Sequence, residues 1–122
     1  MYIIKEKITT KDYDYIKEMI NKVKDKDYKE SAMEIYYTIE DKTKYYKFFE
    51  KGKLIGVIEG RKQSNVFYIM SFLVLEPKKW YGRKMFRLFN KIYNYNKYLL
   101  NSSIYAIRFW NKLAKEFNIE IN

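Results

Sequence analysis

Apolar positions in the first third of the chain predict one strand followed by two helices. Residues 2–8 have the length and β-branched content of a strand, and Thr9 then lies three residues before Asp12, a spacing typical of a helix-starting capping box. Apolar residues at intervals of three and four predict a helix over residues 11–24, with a buried stripe of Ile16, Met19, Ile20 and Val23. After a charged break at residues 24–27, a second helix ends near residues 40–42, and its stripe contains Ala32, Ile35, Tyr36 and Ile39.

The middle of the chain has the pattern of three antiparallel strands. Residues 45–49 and 54–60 are strand-like runs, and the turn between them contains Gly52, which can adopt the positive φ that a tight hairpin needs. A further polar turn at residues 63–65 precedes an aromatic-rich run over residues 66–75. Because such short connections join neighbouring antiparallel strands, we expect the three runs to lie side by side in one sheet.

The last third alternates between helices and short strands. Pro77 ends the third run because proline cannot donate a ladder hydrogen bond. The following helix has a buried stripe of Met85, Leu88, Phe89 and Ile92. A strand over residues 98–100 and a last strand over residues 118–121 flank a helix with a stripe of Ala106, Ile107, Trp110, Leu113, Ala114 and Phe117. The order β-α-α-β-β-β-α-β-α-β predicts an α/β, or α+β layered, fold with a mixed, mostly antiparallel central sheet and about four helices.

Length and composition restrict the chemistry. A chain of 122 residues fits a single domain over residues 1–122, and the absence of His and Cys excludes disulfides, thiolate nucleophiles, imidazole bases and the usual zinc sites, so we expect no metal. No apolar stretch approaches the roughly 20 residues that span a bilayer. Without a secretory leader in this sequence, we expect a cytoplasmic protein that does not enter a membrane.

Positive charge is concentrated in the second half of the chain. The net charge is +10, and residues 62–122 carry 11 basic and 3 acidic side chains, whereas residues 1–61 carry 14 and 12. Residues 72–86 combine a strand, Pro77, a basic loop, Gly82 and a helix start, an arrangement that suits a phosphate group because helix-terminal N–H groups bind anions. The alternative is a solvated basic turn that leads into an ordinary core helix.

Four segments in this order resemble the GNAT superfamily of acyl-CoA-dependent N-acetyltransferases. Residues 8–16 (ITTKDYDYI) are similar to the opening strand and first helix of that family, and residues 48–60 (FFEKGKLIGVIEG) to its second and third strands. Residues 73–77 (LVLEP) with residues 79–84 (KWYGRK) resemble the fourth strand and the pyrophosphate loop Q/R-x-x-G-x-G/A. Residues 106–114 (AIRFWNKLA) resemble the late A-x-x-F-Y helix.

The resemblance implies that acetyl-CoA is the cosubstrate and that a small-molecule or protein amine is the acceptor. It assigns the pantetheine arm to residues 72–75 and the phosphates to the loop, so that the implied cosubstrate-binding residues are Leu73, Val74, Leu75, Lys79, Trp80, Tyr81, Gly82, Arg83 and Lys84. A backbone N–H would polarise the acetyl carbonyl, and a tyrosine would protonate the departing thiolate.

The sequence departs from the family pattern in the loop and at the general acid. Lys79 replaces the usual Gln or Arg, and Lys84 stands at a position that is normally small. Trp110 stands where the tyrosine is expected, and its indole N–H is too weak an acid for that role, so we expect Trp110 to be a core residue. Tyr105 or Tyr93 would then supply the hydroxyl.

Two glutamates are candidate general bases, and two other classes of function remain open. Glu59 on the third strand and Glu76 after the fourth can each accept the proton of an ammonium substrate. The first alternative is a catalytically inactive GNAT-like phage or virion protein with a structural or binding role. The second is a nucleic-acid-binding module that uses the basic half and exposed tyrosines. A homodimer is a further possibility, in which a partner supplies a strand beyond Ile121.

Overall fold

The computed structural model describes residues 1–39, 43–100 and 106–122 and contains one six-stranded sheet covered by four helices. The elements are, in chain order, β1 Tyr2–Lys5, α1 Thr10–Asn21, α2 Lys26–Thr38, β2 Lys44–Glu50, β3 Lys53–Gln63, β4 Val66–Val74, a short 3-10 helix Pro77–Lys79, α3 Tyr81–Tyr93, β5 Lys97–Leu100, α4 Ile107–Phe117 and β6 Glu120–Ile121. The strands lie in the order β1-β2-β3-β4-β5-β6. The predicted order of elements and the α/β class are confirmed.

The sheet is mixed, and the change of direction occurs between β4 and β5. Strands β2, β3 and β4 pair antiparallel, as the short turns predict, and β1 also pairs antiparallel with β2. In contrast, β4 pairs with β5, and β5 with β6, in parallel. Helix α3 makes the crossover from β4 to β5, and α4 makes the crossover from β5 to β6. Parallel neighbours require such crossovers, since a hairpin cannot join them.

Local sequence signals account for most of the element boundaries. Thr9 and Asp12 form the predicted capping box at the start of α1, each side chain accepting from the backbone N–H of the other residue. Lys51 and Gly52 both have positive φ in the β2–β3 turn, as a two-residue hairpin turn requires. The predicted break before α2 also contains its N-cap, because the Asp25 side chain accepts from the Tyr28 N–H.

Some boundaries differ from the sequence prediction. Strand β1 ends at Lys5 rather than at residue 8, because the pair Lys5–Tyr46 is its last with β2. Helix α1 ends at Asn21 rather than at residue 24. Strand β3 continues to Gln63 because its pairing with β4 extends to that residue. Helix α2 ends at Thr38, and the predicted end at residues 40–42 falls outside the described residues.

The two faces of the sheet carry separate cores. Neighbouring residues such as Tyr45 and Tyr46 of β2 belong to different cores, since successive strand side chains point to opposite faces. The core under α1 and α2 consists of Ile8, Ile16, Ile20, Ala32, Ile39, Tyr45, Leu54, Val57, Leu73 and Leu75. The core under α3 and α4 consists of Tyr46, Phe48, Ile55, Ile58, Phe67, Ile69, Val74, Met85, Phe86, Phe89, Tyr98, Trp110 and Leu113.

The predicted stripes of α3 and α4 are correct in part. Ile92 is exposed, and Phe86 takes a place in the core instead, because the buried face of the helix is rotated toward Phe86 and Tyr93 and away from Ile92. Ile107 at the start of α4 is exposed as well. In the described part of the chain, no helix is long and apolar enough to cross a membrane.

A buried ion cluster fixes the start of α1 on β2. Lys47 is 2% exposed, and its Nζ lies 2.5 Å from Asp12 Oδ2 and 2.9 Å from Glu6 Oε1. Burial opposes ionisation of both partners, but the mutual hydrogen bonds outweigh it, so that the pKa of Asp12 is lowered and the pKa of Lys47 is raised. Asp12 therefore caps its helix and binds the lysine at the same time.

Candidate functional site

A bulge in β4 lies directly after the part of the strand that is described as paired with β5. Ser71 pairs with Glu59 and Ile69 with Gly60, which leaves Met70 as an extra residue on β4. The described pairing with β5 covers Val66 to Ile69 and ends at Leu100. Since a bulge bends and twists its strand, we expect residues 70–74 to diverge from the line of β5. We call the backbone edge of residues 70–74 that faces away from β3 the open edge.

The hydrogen bonds of Val74 and Leu75 show which backbone groups the open edge presents. The Leu75 N–H donates to the Ile55 carbonyl of β3 over 2.9 Å. All described peptide bonds are trans, so the Val74 carbonyl points to the opposite side, where the Tyr28 hydroxyl of α2 donates to it. By strand alternation, Phe72 presents its backbone groups on the same edge. The open edge is therefore a short row of strand hydrogen-bonding groups beside α2.

A cavity of about 860 Å³ lies along the open edge. Its walls come from α2, from residues 69–74 of β4, from the start of α3 and from α4. Three rings form its floor: Phe72, Phe109 and Trp110 contact one another with centroid distances of 5.0 to 5.7 Å. The size and the largely apolar lining suit an extended organic ligand with a polar backbone-pairing arm.

The first turn of α3 forms one end of the cavity. Its N-cap is Trp80, which has a left-handed backbone (φ 60°, ψ 18°) and gives no side-chain cap, so the first N–H groups of the helix have neither an intrahelical acceptor nor a side-chain cap. Gly82 packs closely here: a Cβ at this position would lie 3.2 Å from the Phe109 ring and 3.4 Å from Val74 Cγ2. Glycine thus brings the α3 backbone against α4 and β4.

The basic side chains predicted for phosphate binding have intramolecular partners. Arg83 makes a bidentate ion pair with Glu116 of α4, in which Nε lies 2.9 Å from Oε2. Hydrogen bonds from Arg83 lower the pKa of Glu116. Lys84 lies over the ring of Tyr81, 5.9 Å from its centroid. Of the predicted set, Leu73, Val74, Trp80, Gly82 and Arg83 line the cavity.

Glu76 lies outside this cavity and is held by two lysines. Its carboxylate is 2.6 Å from Lys53 Nζ and 2.8 Å from Lys79 Nζ, and these hydrogen bonds lower its pKa. Glu76 and Lys79 line a second, smaller depression near the end of α1. Leu75 also faces away from the open edge, because its side chain belongs to the core under α1 and α2. A lowered pKa makes Glu76 a weaker base than an ordinary glutamate.

Glu59 is buried and connects to the cavity through a serine. The residue is 3% exposed, and its carboxylate accepts hydrogen bonds from Thr43 Oγ1 at 2.5 Å, Ser71 Oγ at 2.9 Å and the Tyr45 hydroxyl at 3.2 Å. Among the described residues, no cation pairs with it. Ser71 lines the cavity at the β4 bulge. The two predicted bases therefore have different surroundings, and only Glu59 has a hydrogen-bonded path to the cavity.

The residues considered for the general acid also lie in different surroundings where the structure describes them. Trp110 is 7% exposed and contacts Phe72, Phe86 and Phe109, so its predicted core position is confirmed, although one side of it lines the cavity. Tyr93 packs instead with Tyr46 and Phe89, and burial raises its pKa. Tyr105, the predicted hydroxyl donor, lies outside the described residues.

Sequence reasoning did not identify two residues of this site, Ser71 and Tyr28. Ser71 had a usable signal, since it is the single residue in the run of residues 66–75 whose side chain is neither aliphatic, aromatic nor a thioether. Tyr28 had none, because its partner Val74 is 46 positions away.

Comparison with known proteins identifies the fold. No protein-family model matches the sequence, and no curated protein matches it. Solved structures with a similar fold include the following three. Tetrahymena GCN5 has a TM-score of 0.55 at 18% identity, over 91% of this chain and 75% of that chain. The PaiA N-acetyltransferase of Thermoplasma acidophilum, in complex with coenzyme A, has a TM-score of 0.54 at 17% identity, over 95% and 89%. A GNAT-family acetyltransferase of Streptococcus pneumoniae has a TM-score of 0.55 at 8% identity, over 96% and 91%. The chain has the GNAT acetyltransferase fold, as the order of its motifs predicts.

Proposed function

We propose that this protein is an acyl-CoA-dependent N-acetyltransferase that transfers an acetyl group from acetyl-CoA to an amine. The observation that carries the proposal is the bulge at Met70, directly after the described pairing of β4 with β5, together with the cavity of about 860 Å³ along the open edge. The similarity to acetyltransferase structures, one of them in complex with coenzyme A, supports the same assignment.

The open edge and the first turn of α3 suit two parts of acetyl-CoA, the pantetheine arm and the pyrophosphate. The amide-rich pantetheine arm can pair with the open edge as an added strand would, through the outward backbone groups of Phe72 and Val74. The pyrophosphate fits the uncapped N–H groups of α3, where the helix dipole adds partial positive charge. Lys84 and Arg83 supply further charge, although Arg83 is shared with Glu116. Tyr28 competes with the arm for the Val74 carbonyl, so its hydroxyl has to share or release that oxygen on binding.

Acetyl transfer in this site requires addition of the amine to the thioester and elimination of the CoA thiolate. The amine nitrogen attacks the thioester carbonyl carbon, a C–N bond forms, and the C–S bond breaks to release the thiolate of CoA. A backbone N–H of the open edge polarises the carbonyl oxygen. One proton leaves the amine, and one proton has to reach the thiolate.

We assign the base to Glu59 acting through Ser71. The Ser71 hydroxyl already donates to Glu59 Oε1 over 2.9 Å and can accept a hydrogen bond from an ammonium group in the cavity. A proton can then pass to the carboxylate in one concerted step. We assign the acid to Tyr105. Glu76, in contrast, pairs with Lys53 at the start of β3 and with Lys79 of the 3-10 helix.

The acceptor is an amine, either a small molecule or a protein side chain or terminus. The nucleic-acid alternative gains little from the tyrosines, because Tyr2 and Tyr37 are the only exposed ones among the described residues. The inactive-protein alternative makes a different prediction about acetyl-CoA, and one titration distinguishes it.

Isothermal titration of acetyl-CoA into the folded protein, with desulfo-CoA as a non-reactive control, tests the proposal. We expect saturable binding of both ligands at one site per chain, followed by acetylation of some member of an amine library. Absence of binding by folded protein would refute the proposal. Binding to unrelated DNA that falls steeply with salt would then favour a nucleic-acid partner.

A further inference from the structure

One aromatic side chain at the cavity is left facing solvent. Five aromatic residues line the cavity among the described residues, namely Tyr28, Phe72, Trp80, Phe109 and Trp110. The other four are buried or half-buried, whereas Trp80 is 74% exposed. Trp80 also makes no ring contact with any described aromatic residue, although aromatic contacts are frequent elsewhere in this chain.

The backbone of Trp80 adds to this observation. Its left-handed conformation (φ 60°, ψ 18°) is unfavourable for most residues with a Cβ other than Asn and Asp, and a bulky residue there is uncommon. Glycine would fit the turn without strain. The described structure gives the indole no packing role that would offset this cost.

The position of Trp80 relates it to one part of the cosubstrate. The proposed path of acetyl-CoA runs from the β4 bulge, along the open edge, to the first turn of α3, where the phosphates lie. The nucleoside end then leaves the cavity beside the N-cap of α3, which is Trp80. Lys79, Arg83 and Lys84 lie within four residues of Trp80 in the chain, and Arg83 lines the cavity while it pairs with Glu116.

We propose that the Trp80 indole is a stacking platform for the adenine ring of CoA. The inference rests on the proposed function, because it requires acetyl-CoA in the cavity. Stacking of a base on an aromatic side chain needs an exposed ring face, which Trp80 provides. Trp80 would thus contribute affinity for the nucleotide portion and none for the arm.

A pair of ligands and a pair of variants test the assignment. CoA contains the adenine, and 4′-phosphopantetheine has the arm and one phosphate without it. Trp80→Gly removes the indole while keeping a residue that favours the left-handed turn, and Trp80→Asn, which tolerates the same conformation, is the second variant. Tyr37→Ala is the matched control, since Tyr37 is 73% exposed and does not line the cavity.

We expect both Trp80 variants to bind CoA about 5- to 100-fold more weakly than the unaltered protein, as loss of one base stack predicts. Their affinity for 4′-phosphopantetheine and the CoA affinity of Tyr37→Ala should not change. Unchanged CoA affinity in the Trp80 variants would overturn the stacking assignment alone. If the unaltered protein bound neither ligand, the proposed function would fail as well.

Fluorescence gives an independent readout. The chain has two tryptophans, so Trp110→Phe leaves Trp80 as the single indole. CoA should quench and shift its emission, and 4′-phosphopantetheine should not. Equal responses to the two ligands, or no response to bound CoA, would overturn the inference.

Discussion

Replacing Trp110 by alanine tests whether this residue is primarily part of the core. The indole is 7% exposed and contacts the rings of Phe72, Phe86 and Phe109, with centroid distances of 5.0, 5.8 and 5.0 Å. It therefore joins β4, α3 and α4 in one aromatic cluster. Removing it leaves three rings without their common neighbour.

The expected loss follows from the area that the indole keeps from water. A buried aromatic side chain removes roughly 150–250 Å² from solvent, which at about 25 cal/mol per Å² corresponds to about 4–6 kcal/mol. Alanine retains part of that area, and truncations of this kind cost about 3–5 kcal/mol. Because Trp110 borders an existing cavity, water can enter the new space, and we expect a value near the lower end, about 3 kcal/mol.

Urea titrations followed by far-UV circular dichroism measure this loss without relying on tryptophan emission. With a slope of about 2 kcal/mol per molar urea, the midpoint should fall by roughly 1.5 M for Trp110→Ala, and by much less for Trp110→Phe, which keeps an aromatic ring in the cluster. A Trp110→Ala variant within about 1 kcal/mol of the unaltered protein, with altered ligand binding, would refute the core assignment. The indole would then belong to the ligand site.

Three further predictions concern the ion cluster and the proposed acid and base. Asp12 has a lowered pKa in the folded protein, so its stabilisation is complete above about pH 4 and is lost as the pH falls through the lowered value. Asp12→Asn should thus destabilise at neutral pH and converge with the unaltered protein in strong acid, and a pH-independent difference in urea titrations would contradict this. With an acceptor found by screening, Glu59→Gln should lower kcat about 100-fold at unchanged acetyl-CoA affinity, whereas Glu76→Gln should leave kcat unaltered; equal losses would show that Glu59 is not the base. Tyr105→Phe should lower kcat about 100-fold with normal binding, and an active variant would exclude Tyr105 as the acid.

The fold was predictable because its signals are local. The Thr9–Asp12 capping box, the Gly52 turn and the stop at Pro77 each act within a few residues, and the structure has all three. Their order along the chain sufficed to indicate the GNAT arrangement. Ile92 shows the limit of helical periodicity, since an apolar stripe does not fix how the helix is rotated about its axis on the sheet.

The site was predictable only in outline, because its geometry depends on register. The extra residue at Met70 appears only when β3 and β4 are aligned, and it determines that Ser71 faces Glu59. The sequence suggested free cations in the loop, but Arg83 pairs with Glu116, 33 positions away. Long-range pairs of this kind have no signature in a single sequence.

The most direct test of the account is to map acetyl-CoA onto the backbone amides by ¹⁵N–¹H NMR. We predict saturable shifts concentrated at Phe72 and Val74 on the open edge and at Tyr81 and Gly82 in the first turn of α3, with little change along β1 and β2. Shifts elsewhere on the surface, or an unchanged spectrum at millimolar ligand, would contradict the claim that the cavity along the open edge is an acyl-CoA site.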